Sequence, residues 1–269
     1  PRAPAAWLRS MPRSTLMPWR CSPEALSMIT LLDPRDRTAF PDPGQALREP
    51  NGLLAVGGDL SPERLIHAYR RGIFPWFSEG QPILWWSPDP RMALFPEEFH
   101  CSRRLLRTLK SDAFQVTVDT VFEQVIRECA RIRRAGQRGT WITPEMQEAY
   151  IALHRAGHAH SVESWRDGAL AGGLYGVHVG ACFCGESMFS LVADASKVAL
   201  AVLARMAPAW GITMIDCQMA TPHLHRLGGR LIPRRAYLRR LRKGLDATPP
   251  PSAWTLDTPL SVLFSSPGA

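Results

Sequence analysis

Three strand-like runs between Ser161 and Ser190 constrain the fold of this chain more than any other stretch. Asp167-Gly168 and Gly180 separate them, where tight hairpin turns need residues tolerant of positive φ. Three antiparallel strands are the natural reading. Residues 195–209 then carry apolar side chains at helical spacing and stop near Gly211, and ITMIDCQ at 212–218 has the apolar run of a buried strand. Strands, a helix and another strand around one sheet place the chain in the α/β (α+β) class.

Helix punctuation organises the N-terminal half. SPERLIHAYRRG, from Ser61, has Ser at the N-cap, Pro at the first helical position and Gly72 just past the end. TPEMQEAYIALHRAG, from Thr143, repeats that arrangement, with Met146, Tyr150 and Leu153 at helical spacing. FPWF at 74–77 and LWWSPDP at 84–90 are too irregular for one long element. Residues 103–138 interleave Val121, Phe122, Val125 and Ile126 with Arg103, Arg104, Arg107, Lys110, Arg127, Arg131, Arg133, Arg134 and Arg138, which predicts one or two helices with basic faces. Thr221-Pro222 and Pro233 open two further short helices. The expected organisation is a disordered extension over 1–27, a small N-terminal α/β domain over 28–90, a larger domain over 91–245 and a tail over 246–269.

Composition narrows the function classes. The first 27 residues hold Arg2, Arg9, Arg13 and Arg20 with Glu24 as their only acid, and lack the apolar core of a secretory signal. No run of 18 or more apolar residues is free of charge, proline and glycine, so a membrane span is not expected and a cytoplasmic location is. The six cysteines form no C-x-x-C pair and the eight histidines no H-E-x-x-H, so no metal is expected. A formal charge of +8 favours a polyanionic partner, since Lys and Arg gain free energy by releasing counterions condensed on phosphates. From Cys217 to Lys243 the chain has eight Lys and Arg residues and no acid, which fits a solvated helix face in part and a phosphate-facing surface throughout.

Few residues break the apolar pattern in a way that suggests chemistry. Asp216 and Gln218 stand two apart on the 212–218 strand, so their side chains are expected on one face, either as a structural hydrogen-bond pair or as polar groups of a cleft. Glu186 follows the run ACFC at the expected end of the third strand, where an exposed acid is the commoner case. Phe183, Met188, Leu200 and Ile215 suit core packing or an apolar pocket. Of Trp76, Trp85, Trp86 and Trp141, at least half are expected in the core, and an exposed one can stack on a nucleobase.

The runs EPNGLLAVGGDLSPERLIHAYRRGIFPWF, ILWWSPDPR, GTWITPEM, GHAHSVESW, FCGESMFS, DASKVAL and MIDCQ strongly resemble leucyl/phenylalanyl-tRNA-protein transferases, in order from about Phe40 to about Leu241. The resemblance implies a small N-terminal α/β domain followed by an acetyltransferase-like (GNAT-type) catalytic domain. It implies an enzyme that moves Leu or Phe from charged tRNA to the N-terminal amine of proteins beginning with Arg or Lys, marking them for degradation. Carried over residue by residue, the catalytic pair falls on Asp216 and Gln218 and acceptor recognition on Glu186. The adenosine-holding tryptophans fall on Trp76 and Trp141, and the aminoacyl pocket on Leu174, Phe183, Met188, Leu200 and Ile215, with Leu174 in place of a common Met. Arg103, Arg107 and Lys110 are the expected tRNA contacts. A monomer without cofactor follows. The rivals are a CoA-dependent acyltransferase, which LVADAS at 191–196 disfavours for want of a phosphate-binding glycine turn, and a non-catalytic RNA-binding protein, which leaves Asp216, Gln218 and Glu186 unexplained.

Overall fold

In the computed structural model, which describes residues 29–132, 140–246 and 254–265, consecutive stretches of chain build two sheets. The extension over 1–27, Arg133, Arg134 and Arg138, and the tail residues 247–253 and 266–269 lie outside the described residues. The first sheet takes β1 (Thr30–Leu32), β2 (Leu53–Gly57), β3 (Phe74–Pro75) and β4 (Leu84–Trp86) in the order β1-β2-β4-β3. Helix α1 (Pro62–Arg70) starts where Ser61 Oγ accepts the Arg64 N–H and ends before Gly72, whose φ of 72° closes the last turn.

The second sheet collects β5 (Arg91–Leu94), β6 (Gln115–Val118), β7 (Ala159–Arg166), β8 (Ala169–Val179), β9 (Cys182–Ser190), β10 (Met214–Gln218) and β11 (Arg230–Ile232). The expected three-strand meander is β7 to β9, joined by turns at Asp167-Gly168 and Gly180. The order is β11-β5-β10-β9-β8-β7-β6, antiparallel throughout except for β9 and β10, which run parallel. Among the described residues, α2 (Arg103–Lys110), α3 (Phe122–Arg131), α4 (Pro144–Arg155), α5 (Ala195–Met206), α6 (Pro222–Arg226) and α7 (Arg234–Leu245) join or cover this sheet. The parallel pair is possible because α5 carries the chain back across the sheet. Two adjacent glycines of β8 open its faces: a Cβ on Gly172 would stand 2.6 Å from Cβ of Ala195 at the start of α5, and one on Gly173 would stand 3.5 Å from Val125 of α3. Successive strand residues face opposite ways, so α5 and α3 sandwich the sheet.

The mixed α/β class is therefore borne out. Residues 103–131 depart from the reading as helices alone, because β6 intervenes and pairs with β7 at the sheet edge. The strand expected from Ile212 begins at Met214, and the helix expected to reach Ala209 ends at Met206. Past α7, the segment 254–265 packs across the sheet and ends in α8 (Leu260–Leu263). Trp254 stacks on His160 at 4.0 Å and on Trp210 at 4.5 Å between ring centres, and leans on Phe183 at 5.5 Å.

Candidate active site

Between Asp216 and Gln218 the pairing of β10 with β5 slips: Asp216 faces Ala93, while Gln218 faces Met92. Cys217 is the extra residue of a bulge, and an extra residue undoes the alternation that would put Asp216 and Gln218 on one face. The expectation that both project into the same space is corrected accordingly. Asp216 is fully buried beneath the strand. Its Oδ1 and Oδ2 accept from Nε and Nη2 of Arg91 at 2.8 and 2.7 Å, and Oδ2 also accepts from the Tyr237 hydroxyl at 2.8 Å. Arg91 is itself flanked by the Phe74 and Tyr237 rings, and the buried carboxylate beside it raises its guanidinium pKa against the pull of burial.

Gln218 is held in the left-handed region, at φ 59°, by its own N–H donating to Asp216 Oδ1 at 2.9 Å. Its side chain turns to Glu186: Gln218 Nε2 donates to Glu186 Oε1 at 2.6 Å. The amide is thus oriented by Glu186 and not by Asp216, and its oxygen is left as the free polar atom. Glu186 is no strand-end acid either, because β9 continues to Ser190 and buries it in mid-strand. Its Oε2 accepts from the Tyr150 hydroxyl at 3.0 Å, and Tyr150 meets the Tyr69 hydroxyl at 2.5 Å. Burial pushes the Glu186 carboxyl up to about 7, against the opposing pull of hydrogen bonds from Tyr69, Tyr150 and Gln218.

These groups stand at a cavity of about 430 Å³. Nine of the residues expected at the site line it: Trp76, Trp141, Leu174, Phe183, Glu186, Met188, Leu200, Ile215 and Gln218. Asp216 does not. Trp76 and Trp141 are half-buried at its wall, whereas Trp85 and Trp86 are core, so half of the four tryptophans are structural. Arg103, Arg107 and Lys110 are exposed on α2 and none of them lines the cavity. Arg91, Tyr237, Tyr150 and Tyr69 were not singled out by sequence reasoning. A cation inside the strand-like RMAL is the one signal that could have pointed to Arg91, whereas Tyr150 stood out only as a helix position and nothing in the pattern sets Tyr69 or Tyr237 apart. His223 and Thr221 also line the cavity, from the start of α6.

A profile described as Leucyl/phenylalanyl-tRNA protein transferase matches residues 93–242, and one for the N-terminal domain of that transferase matches residues 58–89. The leucyl/phenylalanyl-tRNA–protein transferase of Methylococcus capsulatus is 55% identical over 228 residues, 84% of this chain and 97% of its own. That of Nitrosomonas europaea is 59% identical over 212 residues, 79% of this chain and 89% of its own. Among solved structures, a GCN5-related N-acetyltransferase from Kribbella flavida is 11% identical with a TM-score of 0.33, over 61% of this chain and 58% of that one, a likeness too slight to carry an argument.

Proposed function

The chain belongs to the leucyl/phenylalanyl-tRNA–protein transferase family, and from that premise we propose that the cavity at Gln218 joins the aminoacyl group of leucyl- or phenylalanyl-tRNA to the N-terminal amine of a protein beginning with Arg or Lys. An aminoacyl-tRNA is the donor and a protein the acceptor. The observation that carries the proposal is the convergence of Gln218, Glu186, two tryptophans and an apolar group on one cavity.

An aminoacyl ester is already activated, so the protein mainly aligns a neutral amine with the carbonyl. Trp76 and Trp141 offer flat faces for the terminal adenosine of the tRNA. Leu174, Phe183, Met188, Leu200 and Ile215 take the apolar side chain. Leu and Phe branch beyond Cβ, whereas Ile and Val carry bulk at Cβ beside the reacting ester, so a mouth that is narrow near Cβ selects the first pair. The free oxygen of Gln218 accepts a hydrogen bond from the attacking amine, while Glu186 holds the amide from its other side. Asp216 acts at one remove: with Arg91 and Tyr237 it fixes the bulge that aims Gln218. Glu186 retains lone pairs beyond those given to Tyr150 and Gln218, and a cationic Arg or Lys side chain of the acceptor favours its ionised form. Arg103, Arg107 and Lys110 meet tRNA phosphates. The protein acts as a cytoplasmic monomer that marks its acceptors for degradation.

Incubation with charged tRNA and an Arg-initiated peptide tests this reading. Leucine and phenylalanine are expected at the peptide N-terminus, isoleucine much less, and acetyl-CoA is expected to leave the peptide unmodified. Failure to transfer from either leucyl- or phenylalanyl-tRNA overturns the donor assignment, and equal use of isoleucyl-tRNA overturns the account of the mouth.

A further inference from the structure

Aminoacyl transfer moves a proton as well as an acyl group. The nitrogen–carbon bond forms, the carbon–oxygen bond of the ester breaks, the amine nitrogen loses one proton and the departing ribose 3′-oxygen gains one. None of the groups assigned so far is free to carry it. Gln218 does not ionise. Asp216 lies outside the cavity with both oxygens engaged by Arg91. Glu186 gives one oxygen to Gln218 and the other to Tyr150, and faces the cation of the acceptor in the reading above. Burial pushes the Cys217 thiol well up, which removes it as a base near neutral pH.

We infer that His223 is the proton carrier, an assignment that rests on the cavity being the transfer site. Its imidazole lines the cavity five residues after Gln218, half-buried, and makes no hydrogen bond among the described residues. Thr221 Oγ1 caps the Leu224 N–H at 3.1 Å and so sets the start of α6 beside the end of β10. A cavity-lining imidazole without a partner has both ring nitrogens available to a ligand. Burial lowers its pKa from 6.5, as do Lys197 of α5, itself paired with Asp194 at 2.7 Å, and Arg226 of its own helix. At neutral pH it is therefore unprotonated and able to accept. One ring nitrogen takes the amine proton as the nitrogen–carbon bond forms. The imidazolium then releases a proton to the 3′-oxygen as the carbon–oxygen bond breaks, and His223 returns to its starting form with no net change in the protein.

The test is single-turnover transfer from phenylalanyl-tRNA to an Arg-initiated peptide by the whole protein and by His223→Ala and His223→Gln. Both variants are expected to lose about 10²- to 10³-fold in transfer rate, with donor affinity within about threefold of the parent. Added imidazole is expected to restore the Ala variant and not the bulkier Gln variant. The parent should show an acid limb with an apparent pKa below 6.5, missing from both variants. Parent-like rates in His223→Gln overturn the assignment, as does a loss confined to donor affinity that imidazole does not repair. A donor ending in 2′-deoxyadenosine separates the rival carrier: if it fails while His223→Gln works at full rate, the proton travels through the neighbouring 2′-hydroxyl. A parent that transfers nothing counts against the cavity as the transfer site and leaves no reaction for His223 to serve.

Discussion

Gln218 occupies backbone that L-residues avoid at a cost of roughly 1–2 kcal/mol, and such strain tends to persist where a side chain is needed in one place. Gln218→Gly is accordingly expected to unfold about 1 kcal/mol later than Gln218→Ala, while both transfer equally slowly. Denaturant titration beside single-turnover rates checks the two halves separately. Beneath Gln218, replacing Arg91 with Met leaves Asp216 a buried carboxylate without its ion partner, and is expected to cost about 3–5 kcal/mol, far more than loss of any exposed pair. Glu186 gives a pH dependence whose sign follows from its raised pKa. The folded protein keeps this proton up to about 7 and the unfolded chain only to about 4.5, so stability falls as pH rises between those values and levels off above them. Glu186→Gln should remove that component of the slope. Thermal unfolding midpoints of parent and variant from pH 5 to pH 8 would expose it, and parallel curves would refute it.

Elements differ in how far the sequence announces them. Ser61 and Thr143 start helices through bonds to residues three positions on, and the hairpin turns at Gly168 and Gly180 are equally local, so α1, α4 and the β7–β9 meander were legible. Strands β5, β6 and β11 have four, four and three residues, too few for a period to register, and exist through their pairing with distant chain. The bulge in β10 was illegible for the same reason. Apolar flanks showed that Asp216 and Gln218 were out of place, but only the register against β5 reveals that they part, one sealed below the strand and one lining the cavity. Glu186 was misplaced because β9 runs beyond the apolar stretch that signalled it. Gly176 illustrates the tertiary constraint: an added Cβ would collide with the Cys184 carbonyl oxygen and stand 2.7 Å from the Phe183 ring. Gly176→Val is expected to destabilise by about 1–3 kcal/mol and to disturb the cavity wall, which unfolding and donor KM can report together.

At the scale of the whole molecule, net charge bears on the donor. With a formal charge of +8, donor binding is expected to weaken steeply with salt, and neutralising Arg103, Arg107 and Lys110 together should flatten the slope without changing the preference between leucine and phenylalanine. A filter-binding series in sodium chloride measures this, and an unchanged slope would remove α2 from the tRNA surface. Order of synthesis adds a constraint of another kind. Phe183 forms part of the cavity wall, yet the ring that leans on it from behind, Trp254, lies seventy-one residues later in the chain. Translation delivers the strands of the sheet first and this buttress afterwards. A chain stopped after Asp246 is therefore expected to keep its sheet by circular dichroism and lose discrimination between donors. A nascent copy whose synthesis has not yet reached Trp254 thus has its strands without this part of the wall, while the ribosome draws on the same pool of charged tRNA to extend it.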